Sequence, residues 1–371
     1  MKKLTTVLAI LLLAFTASAQ GIIDLNPSSE VLPNLRAARK AAVEWGAKEK
    51  APASWTALQF SDLHGSVENL ERIVTFRNAY SDYLDAAIHM GDAVYCFTDD
   101  VNPWYNVQGA EYLMNVIGNH DCWKGHLLWS QTPRPYDASQ AEAYRQFIGP
   151  FIGHWKVTQP QGVYDDKSPD YQACYYYKDY PQSGVRLVVL DCIHYSPAQH
   201  KWFCEVLAQA AENGLTVVAA QHYPPQNGVV PIDCGFTDLD LTIDAEPAPK
   251  GDAQMERMPD EAYAAVDKFL DKGGRFACWL SGHTHLDFVG VVRGHERQLQ
   301  IIVDKAGEVD DYMQEDRHRG TRSQDAFNLL TVNPSRGVVF VQRIGCTRDQ
   351  YLRSKKLFVY DYKNRKVIAA E

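Results

Sequence analysis

Five times along this chain an apolar run suited to a buried strand stops abruptly at a cluster of His, Asp or Asn. That recurrence restricts the fold more than any other feature. Trp55-Thr56-Ala57-Leu58-Gln59-Phe60 leads into Ser61-Asp62-Leu63-His64-Gly65. Ala86-Ala87-Ile88-His89-Met90 leads into Gly91-Asp92, and the run from Tyr112 to Ile117 into Gly118-Asn119-His120-Asp121. The run from Leu215 to Ala220 leads to Gln221-His222, and the run from Phe276 to Leu280 to Ser281-Gly282-His283-Thr284-His285. Residues two apart on extended backbone share a face, so Asp62 and His64 can address one cation. Open α/β sheets carry their ligands at the carboxyl ends of strands. The five fragments are therefore expected to form one crater.

Between these runs, helical periodicity recurs over Val67–Tyr80, Ser139–Ile148, Pro197–Asn213 and Asp260–Lys272. Strands alternating with helices predict an α/β fold with largely parallel sheets and helices on their outer faces. From Arg275 onward strand patterns dominate, over Phe288–Val292, Gln298–Asp304, Asn328–Val332, Gly337–Ile344 and Leu357–Tyr362, and are expected to complete the second sheet. No Pro-, Gly- or Ser-rich linker interrupts the chain, which predicts one domain over 51–345 with a C-terminal β extension over 346–371. Lys305 to Gln324 reads as a polar loop with a solvated mixed-charge face. Leu32, Leu35, Ala38, Ala42 and Trp45 recur at helical spacing, which predicts an N-terminal helical segment over 20–50.

Met1-Lys2-Lys3, the apolar stretch Leu4 to Ala14 and the small-residue site Ala17-Ser18-Ala19 are built like a secretory signal peptide over 1–19, cut before Gln20. The apolar part is short for a membrane span. The expectation is export to the periplasm or the medium, with no membrane span after cleavage. A formal net charge of −9 argues against a broad nucleic-acid surface, which needs clustered Lys and Arg. The 8 cysteines show no Cys-x-x-Cys spacing, so a zinc ribbon or thioredoxin-type site is unsupported. Cys192 and Cys278 lie at or in apolar runs and read as buried thiols. Cys96 and Cys122 each follow a ligand cluster and are the first place to look for a disulfide.

The five fragments, in this order, resemble the calcineurin-like metallophosphoesterase family: Asp-x-His, Gly-Asp, Gly-Asn-His-Asp/Glu, a lone His and Gly-His-x-His. The resemblance runs from Leu58 to His285. It implies a four-layer αββα sandwich of two mixed sheets flanked by helices. It further implies that Asp62, His64 and His285 hold a first metal, that Asn119, His222 and His283 hold a second, and that Asp92 bridges them. Imidazole, carboxylate and amide ligands without thiolate suit two divalent transition-metal ions, with Mn, Fe and Zn foremost. The implied reaction is hydrolysis of a small-molecule phosphate ester, a metal-bound hydroxide attacking phosphorus.

In that resemblance His120 assists the leaving group as general acid, and an imidazolium beside a developing alkoxide is suited to it. The protein-phosphatase branch orients this histidine with an Asp three residues after the Gly-Asp aspartate. Here that position is Tyr95, so the dyad does not carry over: either Asp121 substitutes or His120 contacts a phosphate oxygen. Gly-Asp-x-x-Tyr also resembles the purple acid phosphatase motif, in which the Tyr binds iron. Because that branch lacks the first-fragment His, His64 is read as the ligand and Tyr95 as a neighbour or core aromatic. His89 reads as a satisfied core residue, and His194 as a group that could line the crater. His126, His154, His200, His295 and His318 lack ligand spacing and read as surface or packing groups. Substrate choice falls to the loops Cys96–Ala110 and Cys122–Asp137, with Phe97, Trp104, Tyr105, Trp123, Lys124 and Trp129, and to a candidate lid from Tyr223 to Asp252. A phosphomonoester is favoured over the alternatives, a phosphodiesterase or nucleotide hydrolase. A reading of another class is a catalytically silent binding scaffold; all seven ligand positions being filled argues against it.

Overall fold

The computed structural model describes residues 36, 54–97, 99, 101, 104, 106–123, 138–160, 173–232, 257–307, 324–345 and 357–370. The expected signal peptide over 1–19 and, Arg36 apart, the helical segment over 20–50 lie outside them. So do Tyr105, Lys124, His126, Trp129, Cys234, His318 and Cys346, and most of the candidate lid.

Two seven-stranded sheets carry the fold. The first holds β1 (Trp55–Phe60), β2 (Ala86–His89), β3 (Met114–Asn115), β11 (Ala326–Asn333), β12 (Val338–Gly345), β13 (Leu357–Asp361) and β14 (Lys366–Ala370). Their order is β14-β13-β12-β11-β1-β2-β3. The second holds β4 (Tyr176–Tyr180), β5 (Val185–Val189), β6 (Thr216–Ala220), β7 (Val229–Pro231), β8 (Arg275–Ser281), β9 (Phe288–Val292) and β10 (His295–Ile302). Their order is β4-β5-β6-β8-β10-β9-β7. The helices are α1 (Val67–Ala79), α2 (Gln140–Ala143), which continues as a π-turn over Tyr144–Ile148, α3 (Ile152–Trp155), α4 (Pro197–Glu212) and α5 (Asp260–Asp271).

Period-two alternation explains how the second sheet is buried on both sides. Leu187, Val189, Val218, Ala220, Cys278 and Leu280 join the core that includes Ala57, Leu58 and Phe60 of the first sheet. Their neighbours Val188, Val217, Ala219 and Trp279 pack with Phe203, Val206 and Leu207 of α4 and Ala262, Val266 and Phe269 of α5. On the first sheet α1 buries Leu70, Ile73, Val74 and Phe76, with the Phe76 ring 4.9 Å from Phe327 of β11. Each such side chain contributes about 1.5–3 kcal/mol of burial. The result is the αββα layering.

Chain direction differs from expectation. Seven of the twelve strand pairings among the described residues are antiparallel, so the sheets are mixed rather than largely parallel. Four of these are hairpin-like returns, β4–β5, β9–β10, β11–β12 and β13–β14, whose short connections oblige the strands to run antiparallel. The C-terminal strands also divide: β9 and β10 join the second sheet, whereas β11 pairs with β1 and brings β12 to β14 into the first. The strand expected over Tyr112–Ile117 shrinks to Met114–Asn115, because Ala110–Tyr112 closes a 3₁₀ turn after Gly109 at φ 105°. Two helices begin where capping chemistry places them: Ser139 caps α2 through the Glu142 N–H, and Ser196 Oγ accepts the Gln199 N–H at 3.2 Å with Pro197 in the first turn of α4.

A buried polar seam joins the sheets. Gln59 Nε2 on β1 donates to the carbonyls of Ser281 (3.3 Å) and Ile301 (3.4 Å) on the second sheet. Gln59 Oε1 accepts from Asn328 Nδ2 at 3.3 Å, and Asn328 Oδ1 from Arg343 Nη1 at 3.3 Å. Arg343 also pairs with Asp287, two residues after His285. The second sheet thereby carries its last ligand loop in fixed register with the first.

Candidate metal centre

The loops after β1, β2, β3, β6 and β8 are stitched to one another by backbone hydrogen bonds. Asp62 N–H donates to Gly91 O at 3.0 Å, His64 N–H to Asp92 O at 3.0 Å, and Gly282 N–H to His222 O at 3.1 Å. Close approach requires glycine at two points. A Cβ on Gly118 would overlap Asp92 Oδ1, and one on Gly282 would overlap Ser61 Oγ.

Backbone strain is concentrated here. Asp62 (φ 54°), His64 (46°), Asp92 (59°), His283 (72°) and His285 (56°) all adopt left-handed conformations. Only Lys156 and Arg365 do so elsewhere among the described non-glycine residues. Such residues cost on the order of 1 kcal/mol or more each and persist where surrounding structure holds them. Turning these five backbones left-handed aims their side chains inward from the strand ends.

Two groups of three close-lying ligand atoms result: Asp62, His64 and His285, and Asp92, His222 and His283, with all atoms of each group within 4.8 Å of one another. A third such group joins His64, Asp92 and His120. Each carboxylate divides its oxygens in the same way. Asp62 Oδ2 accepts the His283 N–H at 3.0 Å, leaving Oδ1 at 3.3 Å from His285 Nε2 and 3.8 Å from His64 Nε2. Asp92 Oδ1 accepts the His120 N–H at 2.9 Å, leaving Oδ2 at 3.2 Å from His222 Nε2 and 3.5 Å from His64 Nε2. Asp92 thus faces histidines of both groups. Asn119 Oδ1 lies 2.9 Å from His222 Nε2, and the His222 and His283 rings are 5.1 Å apart.

This donor set fits cations. Asp62 Oδ1 and His64 Nε2 are buried with no hydrogen-bond partner, which is costly unless something positive completes them. His222 Nδ1 lies 2.7 Å from the Met90 carbonyl and donates to it, turning Nε2 toward the oxygens of Asn119 and Asp92. That backbone anchor is the usual partner of a metal-bound imidazole. The electrostatics agree. Burial opposes ionisation of Asp62 and Asp92, but His285 beside the first and His222 beside the second hold both below the usual carboxylate range. Burial pushes His64 down to about 4. Burial, then the charges of His222 and Arg257, keep His283 well below the usual imidazole value. His222, despite burial, is pushed up to about 9 by Asp92. Asp62 and Asp92 are thereby kept ionised, the form in which a carboxylate binds a cation.

All seven expected ligands meet at this crater. The neighbours differ from expectation. Asp121 does not reach the His120 ring: Oδ1 accepts from Ala93 (2.8 Å) and Val94 (3.4 Å), and Oδ2 from Gly118 (2.9 Å) and Asp92 (3.0 Å), all backbone N–H groups. It clamps two ligand loops together. Burial, then the charge of Asp92, raise its carboxyl to about 7, against the opposing backbone donors. His120 Nδ1 instead faces the Tyr95 carbonyl at 2.6 Å, and its ring lies 4.1 Å from Trp123. No sequence signal marks a backbone carbonyl as the orienting group. Tyr95 stands beside the crater, its ring edge-on to His64 at 5.6 Å.

His89 is buried between Phe60 and Trp104, at 5.0 and 5.1 Å, but neither ring nitrogen has a hydrogen-bond partner. It is therefore not the satisfied core residue expected; burial lowers it to about 3 and keeps it neutral. His194 bonds to Asp191 Oδ2 at 3.0 Å and to the Ala138 carbonyl at 3.1 Å rather than offering a nitrogen to the crater. Cys96 and Cys122 are buried and not joined in a disulfide, and Cys192 and Cys278 are buried thiols. No helix among the described residues is long and apolar enough to cross a membrane.

A family model described as calcineurin-like phosphoesterase matches residues 56–287. No curated protein matches the chain. Among solved structures, a dimetal phosphatase from Danio rerio is 11% identical, covering 83% of this chain and 99% of its own, with a TM-score of 0.50. A candidate 5′-nucleotidase from Staphylococcus aureus is 14% identical over 80% of this chain and 54% of its own, at TM-score 0.41. GAP50, the anchor in the inner membrane complex of Plasmodium, is 8% identical over 86% of this chain and 88% of its own, at TM-score 0.38. At these identities the likeness to solved structures is one of fold.

Proposed function

The chain belongs to the calcineurin-like phosphoesterase family and is a hydrolase acting on phosphoric esters; from that premise we propose that it is an exported dimetal phosphomonoesterase. The single observation that supports the metal count is the sharing of Asp92. Its Oδ2 faces His222 of one ligand group and His64 of the other, as a bridging carboxylate must. In this reading Asp62, His64 and His285 hold one ion, Asn119, His222 and His283 the other, and Asp92 both. Mn, Fe or Zn suits these ligands. When bound, two divalent ions supply charge neutralisation for the phosphoryl oxygens and a nucleophilic water near neutral pH.

The protein's own groups do the rest. Two carboxylates against two divalent charges leave the centre at about +2, which favours the dianion of a monoester over the monoanion of a diester. His120, held through Nδ1 by the Tyr95 carbonyl and against Trp123, presents Nε2 to the crater, 3.9 Å from Asp92 Oδ2. It delivers a proton from Nε2 to the leaving alkoxide. The main-chain N–H of His120 holds Asp92 Oδ1, so proton donor and bridging ligand move together. Export rests on the leader-like pattern of residues 1–19, and mature protein beginning at Gln20 is the outcome that supports it.

Hydrolysis of a chromogenic aryl phosphate should vanish after metal stripping and return with Mn or Zn. Full activity in chelator would overturn the dimetal reading, and faster turnover of a matched diester would overturn the monoester preference.

A further inference from the structure

Charge is unevenly distributed along this chain. From Arg336 to Glu371 the sequence carries 9 Lys and Arg against 3 Asp and Glu, a formal +6 in a protein of −9. The residues before Arg336 therefore sum to −15. Such polarity points to an anionic partner for the basic part. Arg348, Arg353, Lys355 and Lys356 lie outside the described residues, and Arg343 is buried against Asp287. The other four, Arg336, Lys363, Arg365 and Lys366, are exposed, and the fold brings them to one end of the first sheet.

Two turns hold them there. Residues 334–337 join β11 to β12, and residues 362–365 join β13 to β14. The Gly337 carbonyl accepts the N–H groups of Tyr362 at 2.9 Å and Lys363 at 3.4 Å, which stitches the turns side by side. Between them and β14 lies a groove of about 690 Å³. Asp361 is the one carboxylate lining it; it is 7% exposed, and its oxygens accept the N–H and Nδ2 of Asn364 at 2.7 Å each. Among the described residues Lys363, Arg365 and Lys366 form no ion pair.

β14 is the outermost strand of this sheet. Val367 pairs with Tyr360 and Ala369 with Val359, so Ile368 between them is the extra residue of a bulge, and it stands 48% exposed. A bulge on an edge strand re-aims a side chain in this way. An aliphatic side chain beside uncompensated cations suits the headgroup layer of an anionic bilayer. Single-stranded nucleic acid would call for aromatic platforms, and none of the residues lining the groove is aromatic. The groove also lies far from the crater. Trp55 pairs with Val332, so the turns stand at the start of β1 while the ligands follow its end, about 20 Å away along the strand.

We propose that this basic pole docks the protein on an anionic phospholipid membrane, with Arg336, Lys363, Arg365 and Lys366 facing lipid phosphates and Ile368 entering the headgroup layer. Docking by this end leaves the crater turned away from the bilayer and open to soluble esters. The inference uses none of the crater residues and is independent of the ester chosen there.

Co-sedimentation tests it, with metal-loaded protein and vesicles of phosphatidylglycerol and phosphatidylcholine mixed in equal parts, or of phosphatidylcholine alone. The anionic vesicles should bind at least about 100-fold more tightly, at several-fold per cation. Raising salt from about 0.1 M to about 1 M should abolish that difference, because the screening length contracts from ~10 Å to ~3 Å. The triple variant Lys363→Gln, Arg365→Gln, Lys366→Gln should bind anionic vesicles about 100-fold more weakly at an unchanged unfolding midpoint. Ile368→Ser should weaken binding at least about threefold. Equal binding to both vesicles, binding to neither, or undiminished binding of the triple variant would overturn the proposal. Tighter binding to duplex DNA than to anionic vesicles, lost in the same variant, would overturn it in favour of nucleic acid.

Discussion

Two buried polar regions of this molecule solve the same electrostatic problem in opposite ways. Between α1 and β11, Arg72 meets Asp325 through two bonds of 2.8 Å, Nε to Oδ1 and Nη2 to Oδ2, with the side chains 3% and 4% exposed. Each charge there is answered by the protein. In the crater, carboxylates and imidazoles converge and Asp62 Oδ1 and His64 Nε2 are left without a hydrogen-bond partner. The first arrangement ties a helix to a sheet. The second keeps electron pairs available, on backbone already strained at five of the proposed ligand positions. A self-satisfied ion pair serves architecture, whereas incomplete pairing is tolerable only where a cation completes it.

The comparison breaks most decisively at Asp92, the proposed bridging ligand. Asp92→Asn should lower phosphatase activity by about 1,000-fold or more, equivalent to roughly 4 kcal/mol of barrier, and should lose both metals by elemental analysis. Retention of two ions would remove the bridging role. Asp325→Ala should do the reverse, costing about 3 kcal/mol in denaturant unfolding by stranding Arg72, while the folded protein keeps its metals and kcat. A loss of bound metal there would merge the two regions.

Smaller effects sharpen it. His120→Asn should slow esters of poorly acidic alcohols at least about tenfold more than aryl phosphates, because proton donation matters most for a basic leaving group. An equal loss on both would assign His120 a role other than donor. The Asp191–His194 pair belongs with the satisfied kind. Burial lowers His194, and the Asp191 charge more than reverses that, so its net shift is upward; Asp191 is shifted downward by His194 against its own burial. The raised His contributes stability present below its unfolded value and lost as pH rises through its folded value. The depressed Asp contributes stability present above its unfolded value and lost as pH falls through its folded value. The pair therefore supports the fold most between the ordinary carboxylate and imidazole ranges. His194→Gln should flatten the pH dependence of unfolding there by about 1 kcal/mol, and identical pH curves would deny the pair this role.

How much of this was legible beforehand differs by region. The crater announced itself because metal-type residues are costly in apolar surroundings, so their repeated appearance at strand ends carried information without any contact being known. Arg72 and Asp325 lie far apart in sequence, and an Arg on an amphipathic helix looks like a solvated residue until β11 is seen to pack beside it. Asp121 departs from the dyad role for a related reason. A carboxylate next to a histidine suggests a dyad, but the turn geometry sends its oxygens to four backbone N–H groups. The exposure of Tyr95 against the burial of Trp104 and Trp123 was equally illegible, since all follow ligand fragments in aromatic-rich loops.

The sequence by itself determined the α/β class, the strand-end clusters from which the convergent side chains come, and most helices to within a residue or two. Those properties are local: hydrophobic period, capping chemistry and the cost of burying polar groups are written in neighbouring residues. Only the tertiary structure decided that β11 to β14 complete the first sheet, that one oxygen of each aspartate is tied while the other faces the histidines, and that a tyrosine carbonyl orients His120. These are choices among partners distant in the chain, and hydrogen-bond geometry selects them only after the two sheets have packed.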